Sequence, residues 1–348
     1  MNMNEMGRTG VMVSELCLGT MTFGTQTSEI DGHRQIDTAL DGGINFIDTA
    51  EMYPVNPISQ ETVGRTEEIV GNWIAAHRSR RAEIVLATKH AGEGFAFARD
   101  GAPISKATIT QTIEGNLRRL QTDYIDLYQF HWPNRGSYFF RKNWSYDPSS
   151  QNRAEIVDNM LECLEALQDH VTAGNIRHFG LSNETAWGTA QWLRLSEQHG
   201  LPRVATLQNE YSLLCRFFDT DLAELAVNED VGLIAFSPLA AGLLTGKYQG
   251  GSIPGGSRRS IVGDLGGRVT DRVFDAVDAY LGVAQKHGVD PIHMALAWAR
   301  TRPFMCSAIF GATTQEQLEH ILKTPSVVLT QDCMDDIAAA HKAHPMPY

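Results

Sequence analysis

The sequence is short of the features that mark several large functional classes. Its five cysteines, Cys17, Cys163, Cys215, Cys306 and Cys333, are odd in number and too widely spaced for a C-x-x-C site. That spacing argues against a disulfide framework and predicts buried thiols in a reducing cytoplasm. The start, Met1 to Arg8, has no apolar run of the kind a secretory signal needs, and no stretch is long enough to cross a bilayer. No G-x-G-x-x-G turn follows the first strand and no H-E-x-x-H occurs, and His33, His77 and His90 fall on separate elements, so no metal site is expected. Positive charge is also in deficit: 29 Lys and Arg against 41 Asp and Glu give a net charge of −12. Such acidity argues against a nucleic-acid or membrane surface and favours a small-molecule partner.

What is present is a repeated strand-then-helix pattern without a linker. The 348 residues are 43% apolar, enough for one large core. Buried strands are predicted at Leu16 to Thr20, Ile44 to Asp48, Glu83 to Thr88, Tyr124 to Phe130, Ile176 to Leu181, Val204 to Gln208, Gly232 to Ser237 and Ser307 to Phe310. Helices are predicted between them, among them Glu61 to His77 and Lys106 to Leu120, the latter capped by Ser105. About eight short apolar strands alternating with helices predict a (β/α)8 TIM barrel, with a short N-terminal β-hairpin and extra C-terminal helices. The whole chain, 1–348, reads as one barrel domain.

In such a barrel the C-terminal strand ends converge on one mouth. Asp48, Lys89 and His131 each close a predicted strand, 41 and 42 residues apart, and Tyr53 follows Asp48 by five. Together they suit carbonyl reduction, in which negative charge developing on oxygen must be stabilised and protonated. A tyrosine phenol titrates near ~10 and is available as an acid at neutral pH. An ammonium from Lys89 is expected to lower that pKa, with Asp48 holding the lysine and His131 orienting the substrate oxygen. Singly, each residue has a plainer role as a loop hydrogen-bonder, packing ring, surface lysine or structural histidine. The shared placement carries the argument.

Eight segments in order then supply a resemblance: LCLGTMTFG (16–24), GINFIDTAEMY (43–53), LATKHAG (86–92), DYIDLYQFHWP (123–133), IRHFGLSNE (176–184), LQNEYSLL (207–214), AFSPLAAGLLTGKY (235–248) and FGATTQEQL (310–318). The chain resembles the aldo-keto reductases, most closely a bacterial Tas-like NADP(H)-dependent branch and more distantly the potassium-channel β subunits. The resemblance implies a catalytic tetrad of Tyr53, Asp48, Lys89 and His131, and NADPH/NADP+ as cofactor. It implies that Gly19, Thr20 and Met21 line the cofactor, that Ser182, Asn183 and Gln208 hold the nicotinamide carboxamide, and that Tyr211 stacks on the ring. Ser237, Pro238, Leu239 and Gly242 would line pyrophosphate and ribose. Lys247 and Arg258 would take the 2′-phosphate, with Gly311, Thr313 and Gln317 around the adenosine. Where relatives commonly carry Glu or another polar residue and then Asn, this chain has His320 and Ile321, and an isoleucine offers adenine no hydrogen bond.

Two excursions remain. The segment 132–153 holds Trp132, Tyr138, Phe139, Phe140, Trp144 and Tyr146, and with Phe23 and Met52 is expected to wall an apolar substrate pocket or to meet a second subunit. The Gly-rich segment 248–268 is expected to close over bound cofactor. The activity so implied is NADPH-dependent reduction of aldehydes or ketones. The alternative, suggested by the channel subunits, is a cofactor-binding, redox-sensing regulatory or scaffold protein with slow turnover. Self-association is left open.

Overall fold

A computed structural model describes all 348 residues. Ten strands form: β1 (Met3–Glu5), β2 (Met12–Ser14), β3 (Leu16–Gly19), β4 (Phe46–Asp48), β5 (Val85–His90), β6 (Ile125–Phe130), β7 (Ile176–Ser182), β8 (Val204–Glu210), β9 (Gly232–Phe236) and β10 (Met305–Phe310). The last eight close into a parallel barrel in the order β10-β3-β4-β5-β6-β7-β8-β9. β1 and β2 pair antiparallel as a separate hairpin. This is a (β/α)8 TIM barrel. Its strands are buried on both faces, which is why they read as continuous apolar runs rather than alternating ones.

The two-residue strand period divides the side chains between two cores. Cys17, Phe46, Val85, Ala87, Leu127, Ile234 and Ile309 pack together with Met6 and Val13 from the hairpin region. A far larger cluster joins the other strand faces to the helices. Along the first set's parity, Phe46 leads to Asp48, Val85 and Ala87 to Lys89, Leu127 to Gln129, and Ile234 to Phe236. Apolar residues thus fill the barrel's lower layers, and at the C-terminal ends three of these four faces turn polar while β9 ends on the Phe236 ring.

The helices begin where capping chemistry permits. α1 (Glu29–Asp41) starts at Ser28, whose hydroxyl accepts from Asp31 N. α3 (Lys106–Leu120), which follows α2 (Arg65–Ala76), opens with a Ser105–Thr108 capping box. α2 starts four residues later than the periodicity predicts, because Gly64 at its N-cap takes a left-handed backbone (φ 86°). Gly71 within α2 admits the α3 backbone so closely that a Cβ there would lie 2.0 Å from Arg119 O. After β6 the chain runs through α4 (Arg153–Thr172), α5 (Ala186–His199) and α6 (Asp221–Glu229). It finishes with α7 (Arg258–Ile261), α8 (Val273–Lys286), α9 (Pro291–Arg300), α10 (Gln315–Ile321) and α11 (Gln331–Ala343). α7, a single turn inside the Gly-rich segment, has no counterpart in the sequence pattern. No helix is long and apolar enough to cross a membrane. All five cysteines are free and buried.

Candidate active site

The mouth of the barrel gathers the four proposed catalytic residues. Lys89, fully buried at the end of β5, donates from Nζ to Asp48 Oδ2 at 2.6 Å and to Thr49 O at 2.7 Å. Tyr53 lies over this pair, with its ring centroid 5.0 Å from Lys89 Nζ. The His131 ring meets the Tyr53 ring edge-on, 5.8 Å between centroids. Asp48 is braced from across the barrel by Gln208 Nε2 at 2.8 Å and Gln129 Nε2 at 3.4 Å.

The electrostatics follow from burial and this pairing. Burial alone would lower the Lys89 pKa, but the charges of Asp48 and Tyr53 hold it above its ordinary value, so the site keeps a fixed cation. Burial pushes the Tyr53 phenol up, and Lys89 opposes that shift without overcoming it. Lys89 does act to lower the phenol pKa, as expected, but desolvation is the larger effect and the net shift is upward. His131 is held well below its usual value, by burial and then by Lys89, so its ring is neutral. That ring makes no hydrogen bond within the protein, and its Nδ1 is enclosed without a partner.

Around this centre stand the expected cofactor residues. Ser182 Oγ donates to Gln208 O, while Asn183 Nδ2 donates to His131 O and Ser182 Oγ. Asn183 Oδ1 is buried with no partner. Thr20 Oγ1 donates to Asp48 O, Met21 O accepts from Val55 N, and Gly19 packs so tightly that a Cβ would lie 2.8 Å from Ile309 Cγ2. Beyond β9, Ser237, Ala240, Ala241 and Gly242 all take left-handed backbone, in a tight turn closed by Ala240 N on Ser237 O and Gly242 N on Leu239 O. Pro238 and Leu239 lie inside that turn. The Lys247 side chain folds toward it, with Nζ 3.1 Å from where a Gly242 Cβ would stand. Thr313, two residues after Gly311, donates from both N and Oγ1 to Gln317 Oε1.

Several expectations are redirected. Tyr211 cannot offer a face to a nicotinamide: it is fully buried, stacked on Trp298 at 5.3 Å, with its hydroxyl on Asp219 Oδ1 at 2.6 Å. The aromatic ring at the mouth is Phe236, half-buried at the end of β9. Phe23 is fully buried beneath α1, where a Gly32 Cβ would sit 2.9 Å from its ring, so it walls no pocket. Trp144 is 61% exposed with the Arg272 guanidinium 5.3 Å from its ring, and encloses nothing. Tyr138 packs chiefly on Phe139, Tyr146 and Phe217. Met52 and Trp132 do reach the site, sharing an apolar cluster with Tyr53, and Trp132 lies 5.1 Å from the His131 ring.

The two adjacent arginines after the Gly-rich turn have different neighbours. Lys247 and Arg259, not Arg258, share one aromatic ring, with their charges 5.2 and 5.8 Å from the Tyr248 centroid. Arg258 lies within electrostatic range of Arg268, Glu210, Arg141 and Tyr53. Ile321 is a core residue, and His320 pairs with Asp290 at 3.2 Å while stacking on His293. Sequence reasoning missed Gln129 and Phe236 at the barrel mouth, which strand parity with Leu127 and Ile234 could have found.

A closed parallel barrel with an Asp–Lys–Tyr–His group at its C-terminal mouth defines the class, and the profile of the Aldo/keto reductase family matches residues 15–342. The chain belongs to that family of oxidoreductases. It is 42% identical to "Protein tas" of Escherichia coli (strain K12), over 100% of this chain and 99% of that protein. It is 33% identical to "Uncharacterized oxidoreductase YrpG" of Bacillus subtilis (strain 168), over 96% and 94% of the two chains. A "Probable voltage-gated potassium channel subunit beta" of Oryza sativa subsp. japonica matches at 28% over 99% and 98%.

Proposed function

We propose that this protein reduces aldehydes or ketones to alcohols using NADPH, with Tyr53 as proton donor. The observation that carries the reading is the buried Asp48–Lys89 pair at 2.6 Å, with the Tyr53 ring above its ammonium. The residues present fit a nicotinamide cofactor. The orphaned Asn183 Oδ1 suits the carboxamide N–H groups, together with Ser182 and Gln208. Phe236 suits the ring face, the left-handed turn at Ser237–Gly242 suits the pyrophosphate, and Lys247 with Arg259 suits the 2′-phosphate. Arg259 Nε and Nη1 are buried with no partner, as donors kept for an anion would be.

When bound, the nicotinamide supplies the hydride that attacks the carbonyl carbon. Tyr53 gives its phenolic proton to the carbonyl oxygen as that oxygen gains charge, so the C=O becomes CH–OH. Lys89 stabilises the phenolate left behind, and Asp48 keeps the ammonium in place. Neutral His131 donates a hydrogen bond that orients the oxygen. Met52 and Trp132 exclude water from the same space. The regulatory reading rests on the names of distant relatives, and no observation in the structure favours it.

The test is NADPH oxidation over an aldehyde panel with parent and Tyr53→Phe proteins. The variant should lose roughly 10²–10⁴-fold in kcat while keeping NADPH affinity. Equal turnover by the two would remove Tyr53 as the donor.

A further inference from the structure

Away from the barrel mouth, one group of side chains serves neither the tetrad nor the turn after β9. Asp290 is the N-cap of α9, His293 lies in the first turn of that helix, and His320 lies in the last turn of α10. One carboxylate oxygen of Asp290 and one ring nitrogen of each histidine all lie within 4.8 Å of one another. The two imidazoles stack with 4.4 Å between centroids, and His320 Nε2 stands 3.2 Å from Asp290 Oδ2.

The hydrogen bonds around the group divide its atoms between support and an open side. Asp290 Oδ1 caps α9, accepting from Ile292 N at 2.8 Å and His293 N at 3.2 Å. That leaves Oδ2 free of the backbone and beside His320. His293 Nε2 lies 2.9 Å from His320 O. A carbonyl oxygen only accepts, so Nε2 carries the proton and the neutral ring keeps its lone pair on Nδ1. Metal-ligating histidines are characteristically held this way, with a backbone carbonyl on the nitrogen that the metal does not use. The same bond already ties the α9 ring to the end of α10.

The spacing has the scale of a shared ion. Zinc takes imidazole nitrogen and carboxylate oxygen at roughly 2.0–2.2 Å in a tetrahedral shell, which sets neighbouring donors about 3.4 Å apart. The 3.2 Å between His320 Nε2 and Asp290 Oδ2 meets that spacing as it stands. The third donor, within 4.8 Å of both, closes the difference by side-chain rotation. Two nitrogens and one oxygen suit zinc, nickel or copper, whereas magnesium and calcium take oxygen ligands. His293 is nearly buried, but His320 and Asp290 are partly exposed, so an ion can enter from solvent.

We propose that Asp290, His293 and His320 form a binding site for a divalent transition-metal ion of the zinc type, joining the start of α9 to the end of α10. The ion stabilises the folded chain, because the three ligands converge only there. Sequence pattern does not mark the site: the two histidines are 27 residues apart on different helices. A plain ion pair between His320 and Asp290 also explains their contact, but it needs nothing from His293. That residue separates the two readings.

The experiment titrates the full chain, without an affinity tag and stripped by a chelator, with zinc chloride in a calorimeter and with magnesium chloride in parallel. Parent, Asp290→Asn, His293→Gln and His320→Gln proteins are compared, and Asn retains the helix cap. The parent should bind one Zn²⁺, and its unfolding midpoint should rise with added zinc. Each variant should bind at least ~10-fold more weakly and lose that rise. Mg²⁺ should have neither effect. The visible spectrum of Co²⁺ added to the parent is a second measure that needs no variant: bands of nitrogen ligation support the site, and the spectrum of the hydrated ion overturns it. The inference also falls if the parent binds no stoichiometric Zn²⁺, or if Mg²⁺ acts equally. Zinc binding that persists unchanged in His293→Gln reduces the group to an ion pair and overturns it as well.

Discussion

Arg99 grips Glu51 with both arms of its guanidinium, Nη1 on Oε2 at 2.6 Å and Nη2 on Oε1 at 2.8 Å. Glu51 also accepts from Ala91 N at 2.6 Å, and its own N donates to Lys89 O at 3.2 Å. The carboxylate therefore staples the loop carrying Tyr53, two residues on, to the strand end carrying Lys89, two residues back. Arg99 and Asp100 hold left-handed backbone to make this reach (φ 51° and 53°), a conformation costly for residues with a Cβ.

Breaking the pair should be severe. Arg99→Met leaves a buried carboxylate without its countercharge, and such losses cost roughly 3–5 kcal/mol. Arg99→Lys keeps the charge but loses the two-armed grip, and should fall between. Urea unfolding followed by circular dichroism measures both. An Arg99→Met midpoint equal to the parent's would show that the staple adds nothing to stability.

A neighbouring histidine should make stability depend on pH. His90 is fully buried, and burial, then the Arg99 charge, lowers its pKa to about 3. The unfolded chain takes up a proton near 6.5 that the folded chain refuses. His90 therefore costs nothing above pH 6.5 and drains stability progressively as pH falls from there toward about 3. His131, also held low, acts in the same direction. Each contributes a slope of up to ~1.4 kcal/mol per pH unit. His90→Leu should flatten the acid limb by about one proton's worth in urea titrations between pH 7 and 5. An unchanged slope would mean that His90 protonates freely in the folded chain.

The barrel and the meeting of Asp48, Lys89 and His131 were legible because strand spacing and two-residue parity dictate where strand-end side chains point, and Tyr53 follows Asp48 closely enough for its loop to fold back over the strand end. Loop side chains obey no such period. Phe23 follows β3 closely enough to look like a pocket wall, yet it turns down into the space that Gly32 leaves on α1. Tyr211 comes one residue after β8 and swings outward onto Trp298. Arg258 and Arg259 sit in a one-turn helix, where each residue turns the direction faced by about 100°. Adjacent arginines there could not be told apart by spacing.

That distinction yields a cofactor prediction. Lys247 and Arg259 flank Tyr248, and Arg259 carries two buried, unpaired donors. Arg259→Ala should weaken NADPH by roughly 10-fold or more, the scale of a lost charge-assisted hydrogen bond, and leave NADH nearly unchanged. Fluorescence titration with both cofactors reads the ratio. Equal losses for NADPH and NADH would remove Arg259 from 2′-phosphate recognition.

Tyr211 and Phe236 should separate structural from cofactor aromatics. Tyr211 buries its ring between Trp298 and Phe304 and directs its hydroxyl to Asp219. Tyr211→Phe leaves those packing contacts in place and removes only the hydrogen bond, so it should cost about 1 kcal/mol in unfolding. It should leave NADPH affinity untouched. Phe236 shares its strand face with Ile234 but stands at the open end of the barrel, only half-buried. Phe236→Ala should weaken NADPH and NADH alike, because both carry the same nicotinamide, and Phe236→Tyr should retain most of the affinity. A cofactor loss in Tyr211→Phe with none in Phe236→Ala would put the nicotinamide on the other side of β8 and reverse the assignment.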